Sequence, residues 1–232
     1  MIPIADGQRL RHVPIVTVFL IVCITVIFLW QQRLNSFASE QLILAFGLNP
    51  AHLFGYRAPS SHIGYVPVAA TLLTHVFIHS GWIHLLGNGL FFWVFGPAVE
   101  NAIGPVRYSG LFLVSAAASG IVQASMMVEQ SQIHMVGASG AISGLIGAYL
   151  MLYPKGRLIV LVPVYILVFK RYRWPSAVFI GIWFILQLGA VFLGGAEYSS
   201  VAFLAHITGF VVGVVLAPIL CRKDFRLFDR SR

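Results

Sequence analysis

Charged residues and cysteines are both scarce in this chain of 232 residues. Asp, Glu, Lys and Arg make up 9% of it, hydrophobic residues make up 59%, and the mean hydropathy is +0.88. That composition excludes a water-soluble domain and predicts a polytopic protein whose solvent is the lipid bilayer. Cys23 lies inside the first apolar run and Cys221 at the end of the last, so a disulfide framework is excluded as well.

Acidic residues are scarcer than basic ones. The chain holds 7 Asp and Glu against 15 Lys and Arg, which gives a formal net charge of +8. Strongly basic proteins often bind nucleic acid, but these basic residues stand in short blocks between apolar runs. There they set the topology of the chain against an anionic leaflet, and no nucleic-acid partner is expected.

Six apolar runs are long enough to cross about 30 Å of hydrocarbon. They cover residues 13–30, 82–99, 106–128, 138–153, 174–193 and 201–220. We therefore predict an all-α bundle of six transmembrane helices, in which a short, central fourth helix has its amino end inside the membrane. A further apolar piece, 158–169, has Pro163 in its middle and is too short to span, so we expect it at the membrane interface.

Orientation follows from the distribution of Lys and Arg on the two sides of these spans. Of the 15, only Arg33 and Arg57 fall on one side, so the other side, with both termini, is predicted to be cytoplasmic. We expect a single membrane domain over the whole chain. It has a cytoplasmic N-terminus at 1–12, a core at 13–220 and a basic cytoplasmic tail at 221–232.

Four polar side chains from three of the predicted spans share one depth. At a rise of about 1.5 Å per residue, Ser139, His206, His84 and Asn88 lie roughly 18–24 Å above the cytoplasmic ends of their helices. In a bilayer core of about 30 Å this level is above the midplane, where water can reach a cavity from the outer side. Polar groups at such a depth are costly and indicate a functional site.

The residue types at this level suit nucleophilic catalysis. The hydroxyl of Ser139 is a weak nucleophile until a base accepts its proton, and His206 is the predicted base and, later, the acid that protonates the leaving amine. The Ser139 backbone N–H, Asn88 and His84 are predicted to stabilise the oxyanion. Because no Asp or Glu lies at this depth in any span, the sequence predicts a Ser-His dyad and not a triad.

Small residues occur where the two helices of this dyad must pack closely. Gly137 and Gly140 flank the predicted nucleophile, and Gly209 and Gly213 follow the predicted base. Each such pattern alone is common in membrane helices, but here the glycines coincide with the polar level.

Structural roles account for other features. Ser143 is expected to hydrogen-bond back to its own helix, and His75 and His79 to bind neighbouring groups. A metal site of His75, His79 and His84 is not expected, because no carboxylate or thiolate accompanies them and the spacing turns His84 off their face. Neither a metal nor another cofactor is predicted.

The long outer connection, 31–81, is either a lid or a packed structural flap.

Four segments carry a family resemblance. They are 79–88 (HSGWIHLLGN), 100–104 (ENAIG), 137–140 (GASG) and 205–209 (AHITG), the last followed by Gly213. In this order they resemble the rhomboid family of intramembrane serine proteases, and the resemblance extends over about 13–220. It implies a six-helix bundle with a short fourth helix. It also implies that Ser139 is the nucleophile, His206 the base, and Asn88 with His84 the oxyanion-stabilising pair.

Two positions depart from the family's pattern. Many members have an aromatic ring four residues after the nucleophile, where this chain has Ser143, so His206 must be oriented by another contact, for which we expect a hydroxyl. Many members also have a Trp-Arg pair in the first outer loop, where this chain has Ala70 and Thr71. That difference leaves the anchoring of the outer loop open.

The resemblance implies a multi-pass endopeptidase of the minimal bacterial type, located in the inner membrane. It would take transmembrane protein substrates laterally and cleave them through an acyl-enzyme, near small or helix-breaking residues where a substrate helix unwinds. Two alternatives remain. One is a rhomboid-like pseudoprotease that binds membrane helices without cleavage, against which the intact Ser139 and His206 count. The other is a histidine-lined transporter or metal channel.

Overall fold

The computed structural model describes residues 1–58, 66–128, 133–165, 168–193, 202–223, 225, 227 and 228, and most of them are helical. The helices are α1 (Ile15–Gln31), α2 (Ser36–Phe46), α3 (Pro50–Leu53), α4 (Thr71–Thr74), α5 (Trp82–Ile103), α6 (Pro105–Ser125), α7 (Ser139–Leu152), α8 (Ser176–Phe192) and α9 (Phe203–Leu220). Single 3-10 turns, Val68–Ala70 and His75–Phe77, flank α4.

The long helices are apolar. Among the described residues, α5, α6 and α9 are long and apolar enough to cross a membrane, and α1, α7 and α8 are apolar but shorter. Each of the six predicted spans overlaps one of these helices. The prediction of a mostly helical membrane protein is therefore confirmed, while the count of six crossings and the orientation of the termini stay predictions.

A three-stranded antiparallel sheet corrects the all-α prediction. Its strands are β1 (Ile2–Asp6), β2 (Arg157–Tyr165) and β3 (Val168–Pro175), in the order β1-β2-β3. The short apolar piece 158–169 thus belongs to a hairpin, because its β-branched and aromatic residues favour a strand and Pro163 disfavours a helix. A shift in register follows Pro163, and the N-terminal segment joins the fold through β1.

The central helix of the bundle is α7, which packs against α5, α6, α8 and α9. It is the shortest of the six long helices, with 14 residues, and every residue from Gly140 to Tyr149 is buried. Its glycines allow neighbouring helices to approach closely, as small residues do in membrane proteins. The first turn of α7 is therefore held inside the protein by helices on several sides.

A buried carboxylate joins α1 to α5. Glu100 accepts hydrogen bonds from the backbone N–H groups of Val16 (2.9 Å) and Thr17 (2.8 Å), and from the Thr17 hydroxyl (2.8 Å). These N–H groups belong to the first turn of α1, where they have no intrahelical acceptor and where the helix dipole favours a negative charge. One side chain thus caps one helix and ties it to another.

A half-buried carboxyl lies where the sheet meets α7. The hydroxyl of Tyr149 donates a hydrogen bond to Asp6 Oδ2 at 3.3 Å. Burial raises the pKa of Asp6 from 3.8 to about 6, because the loss of hydration outweighs the hydrogen bond from Tyr149 and those from the backbone. The folded protein therefore favours the neutral acid more strongly than the unfolded chain does.

This difference predicts that the protein becomes less stable as the pH rises. Since the folded pKa of Asp6 exceeds the unfolded one, its contribution to stability is complete below about pH 4 and is lost as the pH rises through about 6. Asp6→Asn, which keeps the neutral form at every pH, should show a smaller fall in Tm between about pH 4 and pH 8. The measurement is thermal unfolding in detergent.

Exposed Glu40 supplies the control for this prediction. Glu40→Gln should keep the pH dependence of the wild type. Identical Tm profiles for the wild type and Asp6→Asn would contradict the assignment.

Candidate active site

The chain turns sharply before it enters α7 at Ser139. Gly137 has φ +106°, in the left-handed region that favours glycine. The first intrahelical hydrogen bond runs from the Ile142 N–H to the Ala138 carbonyl, at 2.9 Å. The N–H groups of Ser139 and of the next two residues precede that bond and lie at the positive end of the helix dipole. They are therefore suited to stabilise a negative charge.

The same turn lies against His84 and Asn88. A Cβ on Gly137 would stand 2.5 Å from His84 Nε2 and 3.4 Å from Asn88 Nδ2, so only a glycine fits between the turn and these side chains. His84 and Asn88 are one turn apart on α5. Asn88 is 8% exposed and His84 is half-buried. The structure thus brings the two predicted oxyanion donors to the turn that leads into Ser139.

His79 binds a neighbouring group, as we predicted, although its partner was not predicted. Its Nε2 accepts a hydrogen bond from Asn88 Nδ2 at 2.9 Å, and its ring centroid lies 5.0 Å from that of His84. The prediction that His84 turns away from His79 is wrong, because His79 precedes α5 and helical periodicity does not relate the two. The other side of His84 is held by Ser80, whose Oγ lies 3.0 Å from His84 Nδ1.

α7 and α9 pack with their backbones in direct contact. A Cβ on Gly209 would overlap the carbonyl oxygen of Gly140, and a Cβ on Gly213 would overlap that of Gly144. Glycine at these positions is therefore required by the helix spacing and not by backbone conformation. The glycines that the sequence singles out on the two helices lie at this contact.

Ser139 and His206 lie beside that contact, on adjoining helices. Gly140, the neighbour of Ser139, faces the carbonyl oxygen of Ala205, the neighbour of His206, at 3.7 Å from its Cβ position. Both side chains are half-buried. Among the hydrogen bonds of the described residues, none joins the Ser139 hydroxyl to His206. Catalytic hydrogen bonds are often loose without substrate.

Ser143 has the structural role that we predicted for it. Its hydroxyl donates to the Ser139 carbonyl at 2.7 Å, four residues back along α7. It therefore does not orient His206.

An amide contacts the imidazole of His206. His206 Nδ1 lies 3.0 Å from Oε1 of Gln187 on α8, and the rings of Trp183 and Phe203 flank it at centroid distances of 6.3 and 6.4 Å. The expectation of a hydroxyl contact is therefore wrong. A signal was present in the sequence, since an amide inside the apolar run 174–193 is costly unless it has a partner.

A second buried glutamine holds the start of α9. Gln123, on α6, accepts a hydrogen bond through Oε1 from the Ala205 N–H at 3.1 Å. This N–H belongs to the first turn of α9 and has no acceptor within its own helix. Gln123 therefore fixes the residue next to His206, a role that the sequence also signalled only by an amide in an apolar span.

The described part of the outer loop is packed against the bundle. Leu48 and Met135 form a two-way backbone bridge at 2.9 and 2.8 Å, and the Thr74 hydroxyl donates to the Phe46 carbonyl at 2.8 Å. At the position of the expected Trp-Arg pair, the Thr71 hydroxyl donates to the Val68 carbonyl at 2.6 Å, and the Thr71 carbonyl accepts from His75 Nδ1 at 2.8 Å, which is the structural role predicted for His75. These contacts favour the flap interpretation for this part of the loop. Residues 59–65 lie outside the described residues.

The fold and this arrangement are those of a helical membrane protein with a polar site between its helices. The family model described as Rhomboid domain matches residues 68–223, which is more than half of the chain. This chain belongs to the rhomboid family. The resemblance that the four segments predict is thereby confirmed.

Individual relatives agree with this family. Rhomboid-like protein 11, chloroplastic, of Arabidopsis thaliana is 28% identical over 185 residues, which are 78% of this chain and 63% of that protein. The "Putative rhomboid protease YdcA" of Bacillus subtilis (strain 168) is 40% identical over 83 residues, 35% of this chain and 40% of that protein. Rhomboid protease GluP of the same organism is 42% identical over 79 residues, 34% of this chain and 15% of that protein. The chain spans less than two thirds of the length of each of these relatives.

The contact between α7 and α9 predicts a strong effect of one added methyl group. Gly213→Ala should destabilise the protein by about 1–3 kcal/mol, because its Cβ overlaps the Gly144 carbonyl and the helices must separate. Gly181→Ala, on α8, is the matched control, since nothing lies within 4 Å of its Cβ position. It should change stability by less than about 1 kcal/mol. Equal Tm values for the two variants in detergent would contradict the packing argument.

Proposed function

We propose that this protein is an intramembrane serine endopeptidase that hydrolyses peptide bonds in or near transmembrane segments of other membrane proteins. One observation carries the proposal: Ser139 starts a buried helix beside the helix of His206, and His84 and Asn88 face the same turn. Membership of the rhomboid family, with relatives named as rhomboid proteases, supports the same reaction.

The proposed chemistry uses a Ser-His dyad. His206 Nε2 accepts the proton of Ser139 as Oγ attacks the carbonyl carbon of the scissile peptide bond. The C–N bond then breaks, the amine leaves with the proton that His206 returns to it, and the carbonyl carbon stays on Oγ as an ester. A water molecule that gives its proton to His206 hydrolyses the ester and restores Ser139. This reaction needs no metal or other cofactor.

The oxyanion of the tetrahedral intermediate would bind between α5 and α7. The Ser139 N–H, the Asn88 amide and the His84 imidazole are the proposed donors. An amide nitrogen carries two hydrogens, and Asn88 uses one of them for His79. The second remains for the substrate, and the bond to His79 holds the amide in place before the substrate arrives. Such fixed donors lower the barrier because they need no reorganisation during the reaction.

The proposed substrates are transmembrane helices that enter laterally from the lipid bilayer. A peptide bond inside an intact helix is shielded, so cleavage requires local unwinding near the outer third of the membrane. Small or helix-breaking residues near the scissile bond favour this unwinding. The proposal includes one membrane domain over residues 1–232, six crossings and a bacterial inner membrane. It also places both termini in the cytoplasm, which the one-sided distribution of Lys and Arg supports.

The alternative is a rhomboid-like pseudoprotease that binds membrane helices without cutting them. Cleavage assays separate the two functions.

We expect Ser139→Ala and His206→Ala each to lower the cleavage of a panel of single-span substrates by at least about a thousandfold. The measurement is mass spectrometry of the products formed by the purified protein in detergent. Ser143→Ala is the matched control, since Ser143 bonds only to its own helix. Its cleavage rate should stay within about tenfold of the wild-type rate, because it loses only one weak structural hydrogen bond. Cleavage that survives both Ser139→Ala and His206→Ala would refute the proposal.

We expect Asn88→Ala to lower kcat by about a hundredfold or more with little change in KM, because the amide contacts the oxyanion and not the ground-state substrate. Leu86→Ala, a change at an exposed position of the same helix, should leave both constants near the wild-type values. A kcat for Asn88→Ala equal to that of the wild type would exclude Asn88 from the oxyanion site.

A further inference from the structure

The contact between His206 and Gln187 selects a tautomer. His206 Nδ1 lies 3.0 Å from Oε1 of Gln187, and Gln187 is only 9% exposed. An amide oxygen accepts hydrogen bonds and cannot donate them, so the proton of a neutral imidazole must be on Nδ1. Nε2 then carries the lone pair. A neutral histidine without such a partner distributes its proton between the two nitrogens.

We propose that Gln187 is a positioning residue that holds His206 in the tautomer and orientation of a general base. It takes the place that a carboxylate has in a Ser-His-Asp triad, so the dyad becomes a Ser-His-Gln arrangement. The inference rests on the proposed function, since a basic Nε2 has a chemical use only if it accepts the proton of Ser139.

An amide suits this position in a membrane protein. A carboxylate beside a neutral imidazole would be an unpaired charge in an apolar helix, which is costly. The oxygen of Gln187 accepts the same hydrogen bond without a charge. It also stabilises the protonated imidazole less than a carboxylate does, and this difference makes the role testable.

Among the described residues, few polar groups face His206 from the elements packed against it. From α5, the titratable group that interacts with it is His84. From α8 it meets Gln187 and the Trp183 ring, and from its own helix the Phe203 ring, while α7 carries the proposed nucleophile on the adjoining helix. A carboxylate introduced at position 187 would therefore act on His206 directly.

Kinetics of Gln187 variants test the proposal. Gln187→Leu should lower kcat by at least about tenfold with KM unchanged, because His206 loses its hydrogen-bond acceptor. Gln187→Glu should recover kcat at high pH and move the acidic limb of the kcat/KM profile upward by about one pH unit or more, because its carboxylate stabilises the protonated imidazole. A wild-type kcat in Gln187→Leu, or an unmoved acidic limb in Gln187→Glu, would overturn the proposal.

Gln123→Leu is the matched control for the loss of a buried amide. Gln123 binds the backbone at Ala205 and not the imidazole, so this variant should lose thermal stability but lower kcat less than Gln187→Leu does. A kcat that falls equally in Gln123→Leu and Gln187→Leu would show that the loss of any buried amide has the effect, and the proposal for Gln187 would fail.

A measurement that does not depend on proteolysis separates this proposal from the proposed function. In Ser139→Ala protein with 15N-labelled histidine, the His206 signals, identified by their loss in His206→Ala, should show a protonated Nδ1. Gln187→Leu should abolish that preference. A proton on Nε2 in the presence of Gln187 would overturn the inference. If the wild type does not cleave substrates but Nδ1 of His206 is protonated, the proposed endopeptidase activity is refuted and the proposed contact with Gln187 stands.

Discussion

The direct backbone contact between α7 and α9 determines the spacing of the groups in the candidate site. Glycines on both helices remove the side chains that would keep the two backbones apart, and Gly140, next to Ser139, meets Gly209, about one turn after His206. Two short side chains on different helices can approach each other only at such a spacing. The rest of the bundle supports this contact, because α7 is surrounded by other helices and its first turn cannot move independently.

Several polar groups around the site are hydrogen-bonded to one another. Asn88 is held by His79, and His84 by Ser80, while amides from α8 and α6 hold the ring of His206 and the first turn of α9. Hydrocarbon offers no hydrogen bonds, so each pairing that is lost leaves a costly group without a partner. The same networks that stabilise the bundle therefore orient the groups proposed for catalysis.

The sequence predicted the long helices well, because apolar runs are local patterns. Residue counts along a helix predict depth, and of the residues assigned to that level the structure brings His84 and Asn88 to the turn before Ser139. The sheet was missed because β1 and β2 are far apart in the sequence, and no local pattern shows that they pair. Gln187 was missed for another reason: an amide has no fixed chemical role, and only coordinates reveal that its oxygen meets Nδ1 of His206.

Reaction of the protein with a fluorophosphonate tests the central claim most directly, because the reagent modifies only a serine that a neighbouring base activates. Peptide mass spectrometry would locate the adduct in the detergent-purified protein. The account predicts one adduct, on Ser139, which forms in the wild type and is lost in His206→Ala. An unmodified Ser139 in protein that is shown to be folded, or an adduct whose yield does not depend on His206, would contradict it.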